Sequence, residues 1–315
     1  MRVDNSHEEF FYRYQFNRIA DRNELKTIGV IIMKSKYVIR VKWTFLLMLL
    51  CNLVIFTACN PENADWDLLQ APVLLETGDV IMSPPEGYFD PFYKKYLNAN
   101  GIPVVSSEFV EDSALILARH TIINMTAKRP DVLAQMVLNR ARVGIIAEEE
   151  ETSDLPEYAN IEDKEFFNRR GRGYGGSELE PFASASEEAM LNKYKNAGYD
   201  LLQHEFAHLI HSSGLRYAVP GFQKNLKDAF KKAKKEGLWL NTYAATDEME
   251  YFAESTSIWF NYAVQSIPEG DGVYNHIHTR EELKEYDPRM YNILKEIYNE
   301  TNWKPLGLKG NYEYE

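Results

Sequence analysis

Cysteine is nearly missing from this chain: Cys51 and Cys59 are the two present, and both precede residue 60. No disulfide framework is available to the rest, which must be held by a buried core. No repeat of solenoid period and no long low-complexity run occurs, which excludes stacked-repeat architectures. Positive charge is in deficit, with 35 Lys and Arg against 47 Asp and Glu and a formal net charge of −12. A nucleic-acid surface needs the opposite sign, so no nucleic-acid partner is expected. The apolar run Trp43 to Ala58 covers 16 residues with Asn52 inside it, short of the roughly 20 that a membrane span needs. What is present is an ordinary globular composition, 45% hydrophobic and 26% charged, in 315 residues. That is enough chain for one large domain or two small ones.

The N-terminal region changes character at Met33. Residues 1–32 are polar and aromatic without a clear period, whereas Lys34, Lys36, Arg40 and Lys42 precede the apolar run, which ends in Phe56-Thr57-Ala58-Cys59. A basic region, a short apolar core and small residues before a cysteine resemble a bacterial lipoprotein signal. The resemblance implies a signal peptide over 33–58, lipidation at Cys59, and an extension over 1–32 that reflects a misassigned start upstream of Met33. Residues 1–58 hold nine Lys/Arg and five Asp/Glu, so the remainder carries a formal charge of −16. Residues 59–87, with Pro61, Pro72, Pro84 and Pro85, read as a tether to a domain spanning 88–315.

Chemistry-bearing residues concentrate in Leu201-Leu202-Gln203-His204-Glu205-Phe206-Ala207-His208-Leu209-Ile210-His211, an HExxH inside a helical pattern. Residues four apart share a helix face, so His204 and His208 can turn two imidazoles towards one ion. Zn²⁺ takes neutral imidazole nitrogen readily, and a catalytic zinc keeps one position open for water. Glu205, one residue round from these histidines, can reach that water rather than the metal. Leu202, Phe206 and Leu209 help form the apolar face that buries the helix, and Gly214 reads as its stop signal. A buried helix that merely carries two histidines would show the same motif, so a third ligand decides.

Three candidates compete. His211 lies about 10.5 Å along the helix from His204, too far to share an ion on a straight helix. The metzincin pattern HExxHxxGxxH is excluded, because His211 stands at its glycine position and Gly214 at its third histidine. His276 and His278, after Gly270-Asp271-Gly272, read as loop histidines. Glu250 is preferred: Asp247 makes a good N-cap, and Met249, Phe252, Ala253, Thr256 and Trp259 form a helical stripe behind it. Glu250 and Glu254 share a face, and the 42 residues from His208 to Glu250 leave room for a crossing helix. The bland alternative makes Glu250 the carboxylate of a capping box with Asp247.

Elsewhere, helices are expected from Ala114 to Met125 and from Val132 to Leu138, interrupted at Arg129-Pro130-Asp131. Arg142–Ala147 reads as a strand, either an edge that holds an extended peptide or an interior strand of a mixed sheet. Asn168–Gly176 is basic and glycine-rich but lacks the Lys-Ser/Thr ending of a phosphate loop, so it reads as a mobile loop beside the cleft. A short helix from Ser186, a lysine-faced helix over Pro220–Lys235 and a closing pair broken at Asp287-Pro288 complete the pattern.

Tyr243 precedes Glu250 by seven residues, and Glu250-Tyr251-Phe252-Ala253-Glu254 follows it on the same helix. Together with HExxH, these residues resemble the gluzincins, in particular the catalytic domain of anthrax lethal factor. The resemblance implies an α+β, zincin-like metallopeptidase domain with an HExxH active-site helix and a small mixed sheet. It implies one Zn²⁺ per chain held by His204, His208 and Glu250, with Glu205 as general base, Tyr243 as oxyanion donor and Glu254 behind a ligand histidine. The longer run from Phe92 to Phe260, with the lipoprotein signal, is similar to the zinc-binding metallopeptidase lipoproteins associated with TonB-dependent nutrient import. That likeness implies hydrolysis of peptide bonds by glutamate-assisted attack of zinc-bound water, on an outer-membrane lipoprotein at its periplasmic or outer face. The expected partners are a peptide or protein substrate, the membrane through the lipid, and TonB-dependent import proteins. Two readings compete: a non-catalytic peptide- or glycan-binding lipoprotein of such a system, and hydrolysis of a non-peptide amide.

Overall fold

The computed structural model of the protein describes residues 78–191, 193 and 201–303, all within a unit formed by residues 70–315. The expected N-terminal extension, the signal over 33–58, Cys59 and the tether up to residue 77 lie outside the described residues. Among the described residues no helix is long and apolar enough to cross a membrane.

Hydrophobic alternation builds one five-stranded mixed sheet of order β1-β2-β3-β5-β4, with helices around it, an α+β fold. β1 (Lys95–Ala99) and β2 (Ile102–Ser106) form an antiparallel hairpin. Asn100-Gly101 turns it at φ 53° and 94°, the positive values that a two-residue hairpin turn requires. β2 runs parallel to β3 (Arg142–Ile146), and a parallel pair needs a crossover. α1 (Asp112–Thr126) and α2 (Pro130–Leu138) provide it, the second starting on Pro130 as its first helical residue.

β3 in turn pairs in parallel with β5 (Phe182–Ser186), and the two-residue β4 (Gly173–Tyr174) closes that side antiparallel to β5. β3 is therefore interior, and the edge reading of Arg142–Ala147 is not realised; both of its sides are already hydrogen-bonded. β4 is the edge on that side.

Each strand buries both faces. Leu97, Val104, Val143, Ile145 and Ala185 enter the main core with the helices. Tyr96, Val105, Ile146 and Phe182 point the other way, into an aromatic cluster with Tyr158 and Phe167, the latter on α3 (Lys164–Arg170). Packing starts before residue 88: Ile81 leans on the main core, and Met82 bridges Tyr96 through two backbone hydrogen bonds of 2.9 and 3.1 Å. The last residues of the expected tether thus belong to the domain, because an apolar pair within a proline-rich stretch found a free strand to lie on.

A short α4 (Glu187–Met190) follows β5. α5 (Leu201–Leu209) then packs on β5 and continues without a break through a π-helical turn at Ile210–Leu215 to Ala218. Gly214 consequently does not stop the helix. A Cβ there would lie 2.6 Å from Val132 Cγ1 and 2.9 Å from Met136 Cγ, so the glycine lets this segment press against α2.

α6 (Phe222–Lys235) buries Phe222, Leu226, Ala229 and Ala233, and its lysines lie on the other side. α7 (Glu248–Trp259) is buried at every position from Tyr251 onward. It lies against α5, α6, α8 (Arg280–Tyr286) and α9 (Pro288–Ile297). Asp287 separates the last two as expected. Its buried carboxylate accepts from Tyr251 Oη at 2.5 Å and Trp239 Nε1 at 3.1 Å while it caps α9.

Candidate active site

The one-turn spacing of HExxH sets His204 and His208 on the side of α5 that faces α7. Asp247 opens α7 by accepting the backbone N–H groups of Met249 and Glu250 at 2.7 and 2.9 Å, a cap worth about 1 kcal/mol. The Glu250 side chain does not complete a capping box; it points across to α5. His204 Nε2 and His208 Nε2 lie 3.1 Å apart. Glu250 Oε2 is 3.1 Å from the first and 3.3 Å from the second. These three residues are the candidate metal cluster among the described residues. His204 is buried, whereas His208 and Glu250 are partly exposed, so solvent reaches the cluster from their side.

The donor set can be tested against Zn²⁺ on these distances. A tetrahedral ion with ligands at about 2.0–2.1 Å places them about 3.3 Å apart, which the three spacings fit. Glu250 Oε2 is also shut off from solvent and has the two ring nitrogens as its near neighbours, a buried carboxylate held where a cation or donors can compensate it. Electrostatics agree in direction. Burial works against charge on His204, yet Glu250 and Glu254 overcome it and raise its pKa well above the usual histidine range. Burial is likewise overcome by Glu250 at His208, which also rises. Burial would raise Glu250, but the two histidines hold it far below the usual carboxylate range. The cluster is built around positive charge.

Glu254, one turn beyond Glu250 and buried, sets Oε1 3.0 Å from His204 Nδ1. A carboxylate at that nitrogen favours the tautomer with the proton on Nδ1 and leaves the Nε2 lone pair free for a metal. Glu205 is buried between the histidines in sequence, and its carboxylate makes no hydrogen bond to any described residue. Burial pushes its pKa up, against the opposing pull of His204 and His208.

Tyr243 begins a short 3₁₀ turn ahead of α7, fastened by its backbone N–H to Val273 O at 2.8 Å. Its ring centroid stands 6.4 Å from that of His204. Burial, then the Glu250 charge, hold the phenol above its ordinary pKa, so it keeps its proton at neutral pH. The structure thus brings His204, Glu205, His208, Tyr243, Glu250 and Glu254 into one site.

The histidines that competed for the third-ligand place stand apart. His211 is buried and donates from Nε2 to Gln223 Oε1 at 2.5 Å. Burial lowers its pKa to about 4, so it is neutral. His278 pairs with Glu282 at 3.0 Å, and His276 packs edge-on against Tyr286.

One wall of the site was not legible as such. The glycine-rich stretch Asn168–Gly176 lies beside the cleft as expected, but it is the end of α3 followed by the edge strand β4 and its continuation rather than a loose loop. A Cβ on Gly175 would stand 2.5 Å from His208 Cβ, and one on Gly176 2.4 Å from Leu209 Cδ1. Ser212 Oγ donates to Gly176 O at 3.0 Å. These glycines serve close approach to α5. Tyr174 stacks on Phe167 at 4.2 Å and donates to Phe167 O at 2.8 Å. Burial raises its pKa to about 12. The clue in the sequence was the spacing of glycines shortly before HExxH, which shows tolerance of close contact but not its partner.

Comparison with protein-family models and with curated proteins finds no match. Among solved structures, the chain is similar to the Pro-Pro endopeptidase PPEP-2 from Paenibacillus alvei, with 16% identity and a TM-score of 0.41. The alignment covers 62% of this chain and 97% of that one. A superposition this loose does not carry a function across.

Proposed function

We propose that this protein is a zinc-dependent metallopeptidase of the gluzincin kind. The observation that carries the reading is the triangle of His204 Nε2, His208 Nε2 and Glu250 Oε2, with edges of 3.1, 3.1 and 3.3 Å. Zn²⁺ in that site would supply a Lewis acid that polarises a carbonyl and acidifies water. Glu205 takes the proton from the attacking water and delivers it to the departing amine. Burial holds its pKa above the ordinary carboxylate value, the direction that makes a carboxylate a better proton acceptor. The Tyr243 hydroxyl donates to the developing oxyanion, a contribution of about 2.7–4 kcal/mol for one such donor. Glu254 holds the His204 ring. A site used only to bind would need neither the Glu205 carboxylate nor the Tyr243 donor.

Location and partners belong to the same proposal and are supported by the sequence pattern alone. They comprise lipidation of Cys59, the outer membrane, a peptide or protein substrate, and association with TonB-dependent import. Mass analysis of the mature N-terminus tests the lipid; a chain that retains residues 33–58 refutes it.

The activity is tested by cleavage of a diverse peptide library, read by mass spectrometry, with zinc-loaded protein and the Glu205→Gln variant at equal zinc content. Cleavage by the wild type, lost by about 10²–10⁴-fold in the variant, is the expected result. No cleavage by either, with zinc bound, would point to a binding module or a non-peptide amide substrate.

A further inference from the structure

The short 3₁₀ turn that carries Tyr243 is held from two sides. The chain leading into it takes positive φ twice, 62° at Trp239 and 52° at Asn241, and for a side chain as bulky as tryptophan that conformation persists only where the surroundings enforce it. One anchor is in the core: Trp239 N donates to Tyr286 Oη at 2.7 Å, and Thr242 Oγ1 donates to Trp239 O at 2.7 Å. The other is a loop between α7 and α8, residues 266–275. Asn241 Nδ2 donates to Gly270 O at 2.5 Å, Gly272 N donates to Asn241 O at 2.9 Å, and Tyr243 N donates to Val273 O at 2.8 Å. The two segments lie so close that a Cβ on Gly270 would stand 2.3 Å from Asn241 O.

A single carboxylate shapes that loop. Asp271 is exposed, yet its Oδ1 accepts Val273 N at 2.9 Å and Tyr274 N at 2.8 Å, and its Oδ2 accepts Ser266 Oγ at 2.7 Å. An ionised acceptor makes such bonds stronger than a neutral one does. Asp271 N donates to Tyr274 O at 3.0 Å, and Ser266 N to Asn275 O at 2.7 Å, closing the loop on itself. Val273 is therefore fixed at both ends of its backbone, its N–H on Asp271 and its carbonyl on Tyr243. The same loop borders the other side of the site. Val273, Tyr274 and Asn275 line a small cavity together with Thr242, Ala244 and Glu254, the carboxylate that holds the His204 ring.

We propose that Asp271 is a positioning residue for the reaction: by fixing Val273 it holds the Tyr243 backbone, and with it the phenol, where the oxyanion develops. A donor contributes in full only when it stands about 2.7–3.1 Å from that oxygen, so a loop that sets the backbone of the donor sets its worth. The inference rests on the peptidase reading above and adds to it a surface residue outside the metal cluster.

The test uses the full-length zinc-loaded protein and a peptide that the wild type cleaves, with kcat and KM read separately. Asp271→Ala should lower kcat about 10–100-fold while KM and zinc affinity stay near their wild-type values. Asp271→Asn keeps a carbonyl oxygen for the two backbone N–H groups and should recover most of the loss. Tyr243→Phe should lower kcat about 10²–10³-fold. Adding Asp271→Ala to it should cost nothing further, because a residue that acts through the phenol then has nothing left to place. A readout without cleavage is the ¹⁹F signal of 3-fluorotyrosine incorporated in place of Tyr243. Asp271→Ala should move and narrow that signal towards that of a mobile side chain, and Asp271→Asn should leave it in place.

Wild-type kcat in Asp271→Ala, an equal loss in the Tyr243→Phe background, or an unchanged fluorine signal overturns the positioning role and leaves the peptidase standing. If the wild type cleaves no peptide, the fluorine signal decides. A change in Asp271→Ala that Asp271→Asn restores upholds the grip on Tyr243 while the peptidase reading fails; no change refutes both.

Discussion

A methyl group added at Gly175 should damage the candidate metal site without replacing any of its ligand residues. The Cβ of Gly175→Ala would stand 2.5 Å from His208 Cβ, 2.7 Å from its Cδ2 and 2.8 Å from its Cγ. Non-bonded carbons rest about 3.5–4.0 Å apart, so either β4 or the His208 side chain must retreat by about 1 Å. β4 is held by its pairing with β5 and by the Ser212 contact to Gly176, so much of the shift falls on the imidazole. Metal-ligand distances tolerate about 0.2 Å. The expected consequences are a zinc affinity lowered about 10–100-fold, a kcat/KM lowered about 10²-fold, and a stability loss of about 1–3 kcal/mol. Zinc affinity is read by competition with a chromophoric chelator, and stability by urea unfolding of the metal-free protein. Gly171→Ala is the control, since its added Cβ would meet nothing nearer than 3.4 Å. Wild-type zinc affinity and turnover in Gly175→Ala would refute the argument that this strand presses on the ligand.

Two further outcomes follow from the buried groups. Glu254→Gln keeps the volume but replaces the carboxylate 3.0 Å from His204 Nδ1, and zinc affinity should fall about 10–100-fold with the fold intact by circular dichroism. His211, neutral and buried with a pKa near 4, binds its proton more weakly folded than unfolded, where histidine titrates near about 6.5. Below that unfolded value the unfolded state holds more protons, so stability is lost as pH falls from about 6.5 to about 4, by up to about 3 kcal/mol. Urea unfolding of the metal-free protein at pH 7 and pH 5 measures this, and His211→Gln should flatten the difference; an unchanged slope would place the acid sensitivity elsewhere.

The elements that could be read from the chain are those whose signals are local. The helix over Leu201–Leu209 announces itself by spacing, Asp247 by its position before an apolar stripe, and the break at Asp287-Pro288 by the missing N–H of proline. Each of these depends on residues within a turn or two. The pair Glu250 and Glu254 was legible because one helical turn separates them, whereas Tyr243 was singled out only by the resemblance.

Other features depend on what comes next to what across the fold, and adjacency of that kind leaves little trace in a single chain. Arg142–Ala147 could have been an edge or an interior strand; the crossover through α1 and α2 made it interior. Gly214 looks like a helix stop because glycine commonly is one, yet here the neighbouring Val132 and Met136 side chains require it. Gly175 gains its meaning from α5, and Asp271 from the turn that carries Tyr243. The sequence by itself determined the types of the candidate ligands, their one-turn spacing and the helices that carry them, since covalent geometry decides these. Only the tertiary structure decided that His204, His208 and Glu250 meet within 3.3 Å and what walls the cleft, because long-range packing alone brings α5, α7 and β4 together.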